Sequence, residues 1–200
     1  MSLTFHVYKL FIDPMLRNLR NKVASLIPED SSVIEIASGT GAQSLILAQK
    51  CRKVVGIDID DANTFSASKR AKDLSLDNIN YHTADGRDLS FISDKEFDFT
   101  TITLALHELE DETRMQILTE MKRISKHLII ADYNTPLPKN VAGWGSRHIE
   151  MLVGGDHYAG FKKYMERGGI LAILEDMGFI IESKHTAVNS AIIIVEVTAP

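Results

Sequence analysis

Acidic side chains stand at or near the ends of three predicted strands, and a glycine-rich turn lies between the first two. Glu35 lies inside the run VIEIA, Asp58 ends KVVGID, and Asp85 follows INYHTA. Gly39 and Gly41 occupy the turn, where the absence of Cβ atoms permits a tight bend and close approach of a ligand. If the three runs are parallel strands, the carboxylates meet along one sheet edge, where open α/β folds bind ligands. The pattern therefore predicts a ligand site that is rich in negative charge.

The charge of the residues around this turn distinguishes between two candidate ligands. The Gly-x-Gly pattern followed by Asp58 about 20 residues further on matches part of a dinucleotide fingerprint, but Ser44 stands at the third glycine position. Glu35 would repel a pyrophosphate, and the turn itself contains no Lys or Arg. A nucleoside with a cationic tail fits better, with Asp58 accepting ribose hydroxyls, Asp85 accepting an adenine amine, and Glu35 attracting an ammonium group.

Strands and helices alternate along most of the chain. Apolar runs predict five strands, which are SVIEIA, KVVGID, INYHTA, FDFTTITLAL and HLIIADY. Amphipathic runs predict intervening helices over about 42–50, 62–74 and 111–125, and an N-terminal helix over 13–27. After a helix over 170–177, two strands flank a turn at 188–190 and are too close for a crossover, hence antiparallel. This order predicts an α/β fold with a doubly wound, seven-stranded, mostly parallel sheet and a C-terminal antiparallel hairpin.

Composition limits the class of protein and its partners. The chain has 200 residues, 44% hydrophobic and 24% charged, which fits a single domain over residues 1–200. A net charge of −5 gives no basic surface for nucleic acid. The single cysteine, Cys51, excludes a disulfide framework and fits a reducing, cytoplasmic environment. We find no apolar run near the roughly 18 residues of a membrane span, no cluster of acids for a metal, and no basis for an oligomeric state.

The runs VIEIASGTGAQSLILA, VVGIDID, HTADGRDL and FDFTTITLALHEL, followed by ILTEMKRISKHLIIADY, resemble the successive motifs of the class I S-adenosylmethionine-dependent methyltransferases. Among these, the chain is most similar to the quinone-methyltransferase-like branch of UbiE-like and type 11 relatives. The resemblance is strong over about residues 32–133. It implies a Rossmann-like methyltransferase fold that binds S-adenosyl-L-methionine.

The resemblance also assigns roles to individual residues. It places four residues around the methionine part of the cofactor: Glu35, Ala37, Gly39 and Gly41. It places five others at the ribose, the adenine and the sulfonium end, in chain order Asp58, Ile59, Ala84, Asp85 and Leu104. Ala37 departs from the family pattern by replacing its first glycine, and the usual Pro-Gly-Gly turn is missing between Ser125 and His127.

Candidate catalytic residues follow the fourth strand and lie in the segment after the fifth. His107 directly follows FDFTTITLAL, although it is equally consistent with a cap of the helix at Asp111 or a solvent contact. Residues 137–168 are predicted to form a mobile lid over the acceptor. The aromatic and histidine residues of this lid are candidates to line the acceptor pocket: Trp144, His148, His157, Tyr158, Phe161 and Tyr164.

Among these lid residues, His157 and Tyr158 join His107 as candidate catalytic groups, whereas Phe161 and Tyr164 fit a small helical core equally well. Tyr8 is a candidate to close over the cofactor.

These observations favour a methyltransferase that acts on a small-molecule or lipid-like, quinone-like acceptor. A second hypothesis is a subunit or sensor that binds S-adenosylmethionine without turnover. A third is an NAD-dependent oxidoreductase, which the incomplete dinucleotide pattern leaves open.

Overall fold

The computed structural model describes residues 13–198, apart from the side chains of residues 13–15, 153 and 156. Within this part of the chain, seven strands form one sheet in the order β3-β2-β1-β4-β5-β7-β6. The strands are β1 (Ser32–Ile36), β2 (Lys53–Asp58), β3 (Ile79–Thr83), β4 (Phe97–Thr103), β5 (Ser125–Tyr133), β6 (Ile180–Ala187) and β7 (Ile192–Thr198). The first five are parallel, and β7 runs antiparallel to both β5 and β6. The fold class predicted from the sequence is confirmed.

Seven α-helices and one short 3-10 helix accompany the strands in the described residues. The α-helices are α1 (Asp13–Ser25), α2 (Ala42–Leu47), α3 (Asp61–Asp73), α4 (Asp111–Ile124), α5 (Val141–Val153), α6 (Gly155–Glu166) and α7 (Gly169–Asp176). The 3-10 helix spans Leu106–Glu108 and follows β4. The predicted helix boundaries differ from the observed ones mostly by one to three residues. Helix α1, for example, ends at Ser25 rather than at residue 27. None of the helices that the structure describes is long and apolar enough to cross a membrane.

The strand order places a topological switch point between β1 and β4. From β1 the chain winds outward through β2 and β3, and it then returns to place β4 on the other side of β1. Helices leaving β1 and β4 therefore diverge, which opens a crevice at the carboxyl ends of these two strands. All five residues of β1 are buried, including Glu35. The fold thus carries the predicted acids to the position where such sheets bind ligands.

The missing Pro-Gly-Gly turn has a simple structural counterpart. Helix α4 ends at Ile124, and β5 begins at Ser125 without a connecting loop. The Ser125 hydroxyl donates to the carbonyl of Met121 over 3.0 Å, and the Lys95 ammonium donates to the carbonyls of Ser125 and Lys122. These bonds satisfy carbonyls that the end of a helix leaves without intrahelical partners.

The segment after β5 divides into two helices with different packing. Helix α5 exposes Trp144, whose side chain is 64% accessible. In α6, Phe161 and Tyr164 are buried. The Tyr164 hydroxyl donates to the Tyr133 carbonyl over 3.0 Å and accepts from the amide of Ile170 over 3.1 Å. Of the two alternatives for Phe161 and Tyr164, the structure supports the core role.

Candidate functional site

Two adjoining cavities open at the carboxyl edge of the sheet. The larger measures about 460 Å³ and extends from the glycine turn to the inner faces of α5 and α6. The smaller measures about 360 Å³ and lies over the ends of β2 and β3. Ala37 and Glu108 line both cavities, so the two spaces meet between β1 and the 3-10 helix. Cavities of this size suit small organic ligands.

Backbone conformation at the rim explains one departure from the family pattern. Ala37, at the end of β1, has φ of +54°, and so does Leu104, at the end of the neighbouring β4. This left-handed region costs a residue with a Cβ about 1–2 kcal/mol. Glycine is therefore the unstrained residue at position 37, whereas alanine adopts this conformation at that cost, with its side chain exposed.

The glycine turn is fastened by the acid at the end of β2. The amide of Gly39 donates to Oδ2 of Asp58 over 2.6 Å, and the amide of Asp60 donates to Oδ1 over 3.0 Å. Asp60, not Asp58, caps α3 by accepting from the amide of Ala62. A Cβ on Gly41 would lie 2.4 Å from the Tyr81 hydroxyl, and its φ is +77°, so glycine is required there.

Glu35 forms the floor of the larger cavity. Its side chain is buried and accepts a hydrogen bond from the Ser44 hydroxyl. Burial raises the pKa of Glu35 to about 8, against the opposing influence of the Ser44 hydrogen bond and the Arg20 charge. A buried carboxyl of this kind favours a cation in the adjoining space, because a nearby positive charge stabilises its ionised form.

Basic groups reach the turn from helices, although the turn itself has none. Arg20 of α1 lines the larger cavity beside Glu35. Arg70 of α3 donates to the Thr40 carbonyl over 2.7 Å. The absence of Lys and Arg from the turn sequence is therefore weaker evidence against a phosphate than it is from the sequence alone. The site therefore combines a buried carboxyl with a neighbouring guanidinium. This combination matches a ligand that carries one positive and one negative group.

The smaller cavity contains the remaining residues that were predicted to bind the cofactor. Ile59, Ala84 and Asp85 all line it, together with Asp58. The Asp85 carboxylate accepts from Nε and Nη2 of Arg87 at 2.6–3.0 Å, and these hydrogen bonds lower the pKa of Asp85. Ile59 is 72% exposed. Its open position over the cavity leaves an apolar face that a planar ring can cover.

His107 is buried against an acid that the sequence analysis missed. Its Nδ1 lies 2.6 Å from Oδ1 of Asp132, and its backbone amide donates to Oδ2 of the same carboxylate over 3.1 Å. Both side chains are buried. The two alternative roles for His107, a helix cap and a solvent contact, are therefore wrong. Asp132 fixes the imidazole with Nε2 directed away from the carboxylate.

A second buried acid approaches from the lid. Glu150 of α5 accepts from the Tyr133 hydroxyl through Oε1 over 2.8 Å. The same oxygen lies 3.6 Å from Nε2 of His107, and Oε1 of Glu108 also lies 3.6 Å from that nitrogen. His157 of α6 binds Glu108, with 2.8 Å between Nε2 and Oε2. The lid, the 3-10 helix and the end of β5 thus bring two histidines and three carboxylates together near the end of the larger cavity.

Several atoms of this cluster lack a hydrogen-bond partner among the described residues. They are Nε2 of His107, Oε2 of Glu150 and Nδ1 of His157. Burial lowers the pKa of His107, but the charges of Asp132 and Glu150 outweigh burial and raise it to about 10. Burial likewise raises the pKa of Glu150, yet its interactions with His107 and Tyr133 lower it overall. His107 is therefore an imidazolium and Glu150 a carboxylate at neutral pH.

Close packing holds the lid against the segment that carries His107. A Cβ on Gly160 of α6 would lie 2.4 Å from the Glu108 carbonyl oxygen, so only glycine allows this approach. On the other side, the buried Arg114 guanidinium donates to the carbonyls of Leu106 and Leu109 at 2.8 and 2.6 Å. These contacts fix both ends of the 3-10 helix and so position the His107 ring.

Several residues predicted for the acceptor pocket lie elsewhere. Trp144 and His148 pack against each other on α5, with ring centroids 3.8 Å apart, and neither lines the two cavities. Tyr158 stacks on Phe161 and also lines neither cavity. His157 is the one candidate from the lid that reaches the site. Tyr8 lies outside the described residues.

Sequence signals for the missed residues exist in retrospect. Asp132 interrupts the apolar run LIIA at the end of β5, as Asp58 does in β2. Glu150 is the only acid of α5 and follows Gly143 and Ser146 at helical spacing. Arg20 stands beside Leu19 on the buried side of α1 and reaches the site from a distant part of the sequence. In the described part of the chain, no group of three or more His, Cys, Asp or Glu side chains has an arrangement that could hold a metal ion.

Comparisons with known proteins agree with this geometry. Residues 33–127 match the family model described as a methyltransferase domain. The UbiE ubiquinone/menaquinone biosynthesis C-methyltransferase of Rickettsia peacockii is 31% identical over 118 residues, which cover 56% of this chain and 44% of that protein. This chain thus spans less than half the length of that relative.

Solved structures extend the likeness to nearly the whole chain. A methyltransferase from Aquifex aeolicus superposes with a TM-score of 0.65 at 20% identity, covering 89% of this chain and 88% of that one. The magnesium protoporphyrin IX methyltransferase of Synechocystis with bound S-adenosylhomocysteine gives 0.66 at 20% identity, covering 92% and 83%. At this identity the likeness concerns the fold.

The sheet order, the glycine turn and the strand-end acids define a class I methyltransferase fold. The match to a methyltransferase domain is confined to residues 33–127, and over that part the chain is similar to the class I S-adenosylmethionine-dependent methyltransferases. Within that class it resembles the UbiE-like, type 11 branch, as its sequence motifs predict.

Proposed function

We propose that the protein transfers a methyl group from S-adenosyl-L-methionine to a small acceptor held between the sheet edge and the lid. One observation carries the proposal: a buried carboxyl, Glu35, lines a cavity that joins a second cavity bordered by Asp58 and Asp85. A nucleoside with a cationic amino acid tail fits this division of charge. A dinucleotide would place a pyrophosphate beside Glu35.

The residues present fit this cofactor. Asp58 would accept hydrogen bonds from the ribose hydroxyls, and the Ala84–Asp85 segment with Ile59 would hold adenine. Glu35 would bind the ammonium group, and the Arg20 guanidinium suits the carboxylate of the methionine part. When bound, the cofactor supplies an electrophilic methyl group on a sulfonium sulfur.

The chain's own residues would orient the acceptor and exclude water. The larger cavity continues past Leu104 to His107, Glu108 and Glu150, so there is room for an acceptor beyond the methionine part. Much of methyl transfer can be achieved by alignment and by exclusion of water. Ile149, Val188 and Ile192 add apolar walls, which favours an acceptor with a hydrophobic body such as an aromatic or quinone-like ring.

A turnover assay tests this proposal. The purified protein is incubated with S-adenosylmethionine and separate panels of phenols and hydroquinones, amines, and carboxylic acids, and release of S-adenosylhomocysteine is measured. We expect acceptor-dependent release with at least one panel. Tight cofactor binding without release in any panel would favour the alternative of a non-catalytic binding subunit or sensor.

A further inference from the structure

The polar cluster at the end of the larger cavity presents an unusual pair of unpartnered atoms. Nε2 of His107 and Oε2 of Glu150 are both buried, and neither has a hydrogen-bond partner among the described residues. The other polar atoms of these side chains are satisfied, by Asp132 for His107 and by the Tyr133 hydroxyl for Glu150. Because a buried polar atom without a partner is unfavourable, these two atoms are the ones to which a polar group of a ligand can bind.

We infer that the acceptor carries a hydroxyl group on an aromatic or enolic carbon, that this hydroxyl is held between His107 Nε2 and Glu150 Oε2, and that Glu150 receives its proton. This inference rests on the proposed methyltransferase function and specifies its acceptor.

The hydrogen-bonding capacity of the pair selects the hydroxyl. Asp132 fixes Nδ1 of His107 as a donor, and the high pKa of His107 adds a proton on Nε2, so the ring offers a donor while Glu150 offers an acceptor. A hydroxyl accepts from the first and donates to the second. An ammonium group has no lone pair for the imidazolium, and a carboxylate has no hydrogen for Glu150.

The distances in the cluster leave Nε2 of His107 without a direct hydrogen bond to either glutamate. Nε2 of His107 lies 3.6 Å from Oε1 of Glu150 and 3.6 Å from Oε1 of Glu108, which is too far for a direct hydrogen bond. A hydroxyl oxygen of the acceptor would supply the hydrogen-bond partner that this nitrogen lacks. His157 adds Nδ1 at 3.8 Å from Oε2 of Glu150, on the side of the cavity formed by α6.

The chemistry then follows from the charges of the pair. As the O–H bond breaks, its proton passes to Oε2 of Glu150 and its electron pair stays on oxygen, where the imidazolium of His107 stabilises the negative charge. The oxygen attacks the methyl carbon, and the electron pair of the breaking carbon–sulfur bond stays on sulfur. The products are a methyl ether and S-adenosylhomocysteine, and the proton on Glu150 returns to solvent.

Three naphthalene derivatives that differ only in their polar substituent test whether the site prefers a hydroxyl group. Calorimetry at neutral pH on protein saturated with S-adenosylhomocysteine measures the binding of 1-naphthol, of 1-naphthylmethylamine, which is an ammonium at this pH, and of 1-naphthoate. We expect 1-naphthol to bind most tightly and 1-naphthoate at least about tenfold more weakly. Equal or tighter binding of the amine or the carboxylate would overturn the inference, as would absence of naphthol binding. Failure to bind S-adenosylhomocysteine would instead contradict the proposed function.

Two variants test whether this preference for a hydroxyl group depends on Glu150. In Glu150→Gln the amide offers both a donor and an acceptor, so the preference for naphthol over naphthoate should fall to about threefold or less. Glu166→Gln, an exposed change on α6, should leave the ranking unchanged. With any hydroxyl acceptor identified by turnover, Glu150→Gln should lower kcat at least about 100-fold while the affinity for S-adenosylhomocysteine stays constant. An unchanged ranking or an unchanged kcat in Glu150→Gln would contradict the role of Glu150.

Discussion

The amide of Gly39 donates a hydrogen bond to Oδ2 of Asp58 over 2.6 Å, so the acid proposed to hold the ribose also fastens the glycine turn. Binding and folding are therefore linked at this residue. From the sequence alone, Asp58 is expected to bind the ligand, with a helix cap as the alternative, and its replacement is expected to change the stability of the unliganded protein little. The observed bond revises that expectation.

Replacement of Asp58 by alanine should have two effects. Loss of the carboxylate should weaken S-adenosylmethionine binding by about 1.5–3 kcal/mol, the range for hydrogen bonds to a charged group. It should also lower the free energy of unfolding of the unliganded protein by about 1–3 kcal/mol, because the Gly39 amide loses its acceptor. Calorimetry and chemical denaturation measure the two effects. Asp60→Ala is the matched control, since it removes only the cap of α3, costs about 1 kcal/mol of stability and should leave cofactor affinity intact.

The raised pKa of Glu35 predicts that cofactor binding releases a proton. Burial holds this pKa near 8, so the carboxyl is largely protonated in the unliganded protein near neutral pH. An ammonium group beside it favours ionisation, and affinity for S-adenosylmethionine should therefore rise as the pH increases from about 6 to 7.5. Calorimetry in buffers of different ionisation enthalpy should show release of up to about one proton per cofactor.

Glu35→Gln is the control for this linkage. The amide cannot ionise, so the variant should bind the cofactor more weakly and show much less proton release. If proton release were the same in the variant and the unaltered protein, the linked group would not be Glu35.

Asp132→Asn should be strongly destabilising. The change leaves the buried His107 without its principal counter-charge, and removing one partner of a buried ion pair costs about 3–5 kcal/mol. In the unaltered protein, a folded-state pKa raised to about 10 stabilises the protein fully below the ordinary pKa of histidine, and this contribution is lost as the pH rises toward 10. Denaturation between pH 6 and 10 should show this decline. His107→Gln should flatten it, and an equal decline in that variant would assign the titration to another group.

Gly160→Ala should displace the lid from the 3-10 helix. The new Cβ would lie 2.4 Å from the Glu108 carbonyl oxygen, and an overpacked contact of this kind costs about 1–3 kcal/mol. Turnover should fall because His157 and Glu150 shift relative to His107, while cofactor affinity should change less than twofold. Gly145→Ala is the control, because a Cβ there has no neighbour within 4 Å and alanine favours a helix. Equal stability and turnover in the two variants would show that close packing at Gly160 does not position the site.

Most of the sheet and half of the site could be predicted from local sequence. Strand periodicity and the glycine turn place Glu35, Asp58 and Asp85 along one edge, because parallel strands bring their carboxyl ends together. His107 was predictable for the same reason, since it lies shortly after the end of β4. Its partners were not, because Asp132 belongs to a different strand and Glu150 to a helix whose rotation about its axis depends on tertiary packing.

The lid shows the limit of composition as a guide. Trp144 and Tyr158 are typical pocket residues by type, yet α5 turns Trp144 outward and Tyr158 packs on Phe161. Glu150, which faces inward from α5, would be expected at the surface on the basis of residue type alone. The rotation of each helix about its axis decides which side chains reach the cavity. In α6 the contacts of Gly160 and Tyr164 fix this rotation, and in α5 Glu150 is held by the Tyr133 hydroxyl. The proposed mobility of residues 137–168 stays a prediction.

Calorimetric titration with S-adenosylmethionine and with NADH at pH 7.5 tests the central claim most directly. The buried carboxyl of Glu35 and the division between two cavities predict binding of S-adenosylmethionine and of S-adenosylhomocysteine, each at least about 100-fold tighter than NADH, a difference of about 2.7 kcal/mol. The preference should shrink in Glu35→Gln. NADH binding as tight as that of S-adenosylmethionine would contradict the methyltransferase account and restore the oxidoreductase hypothesis.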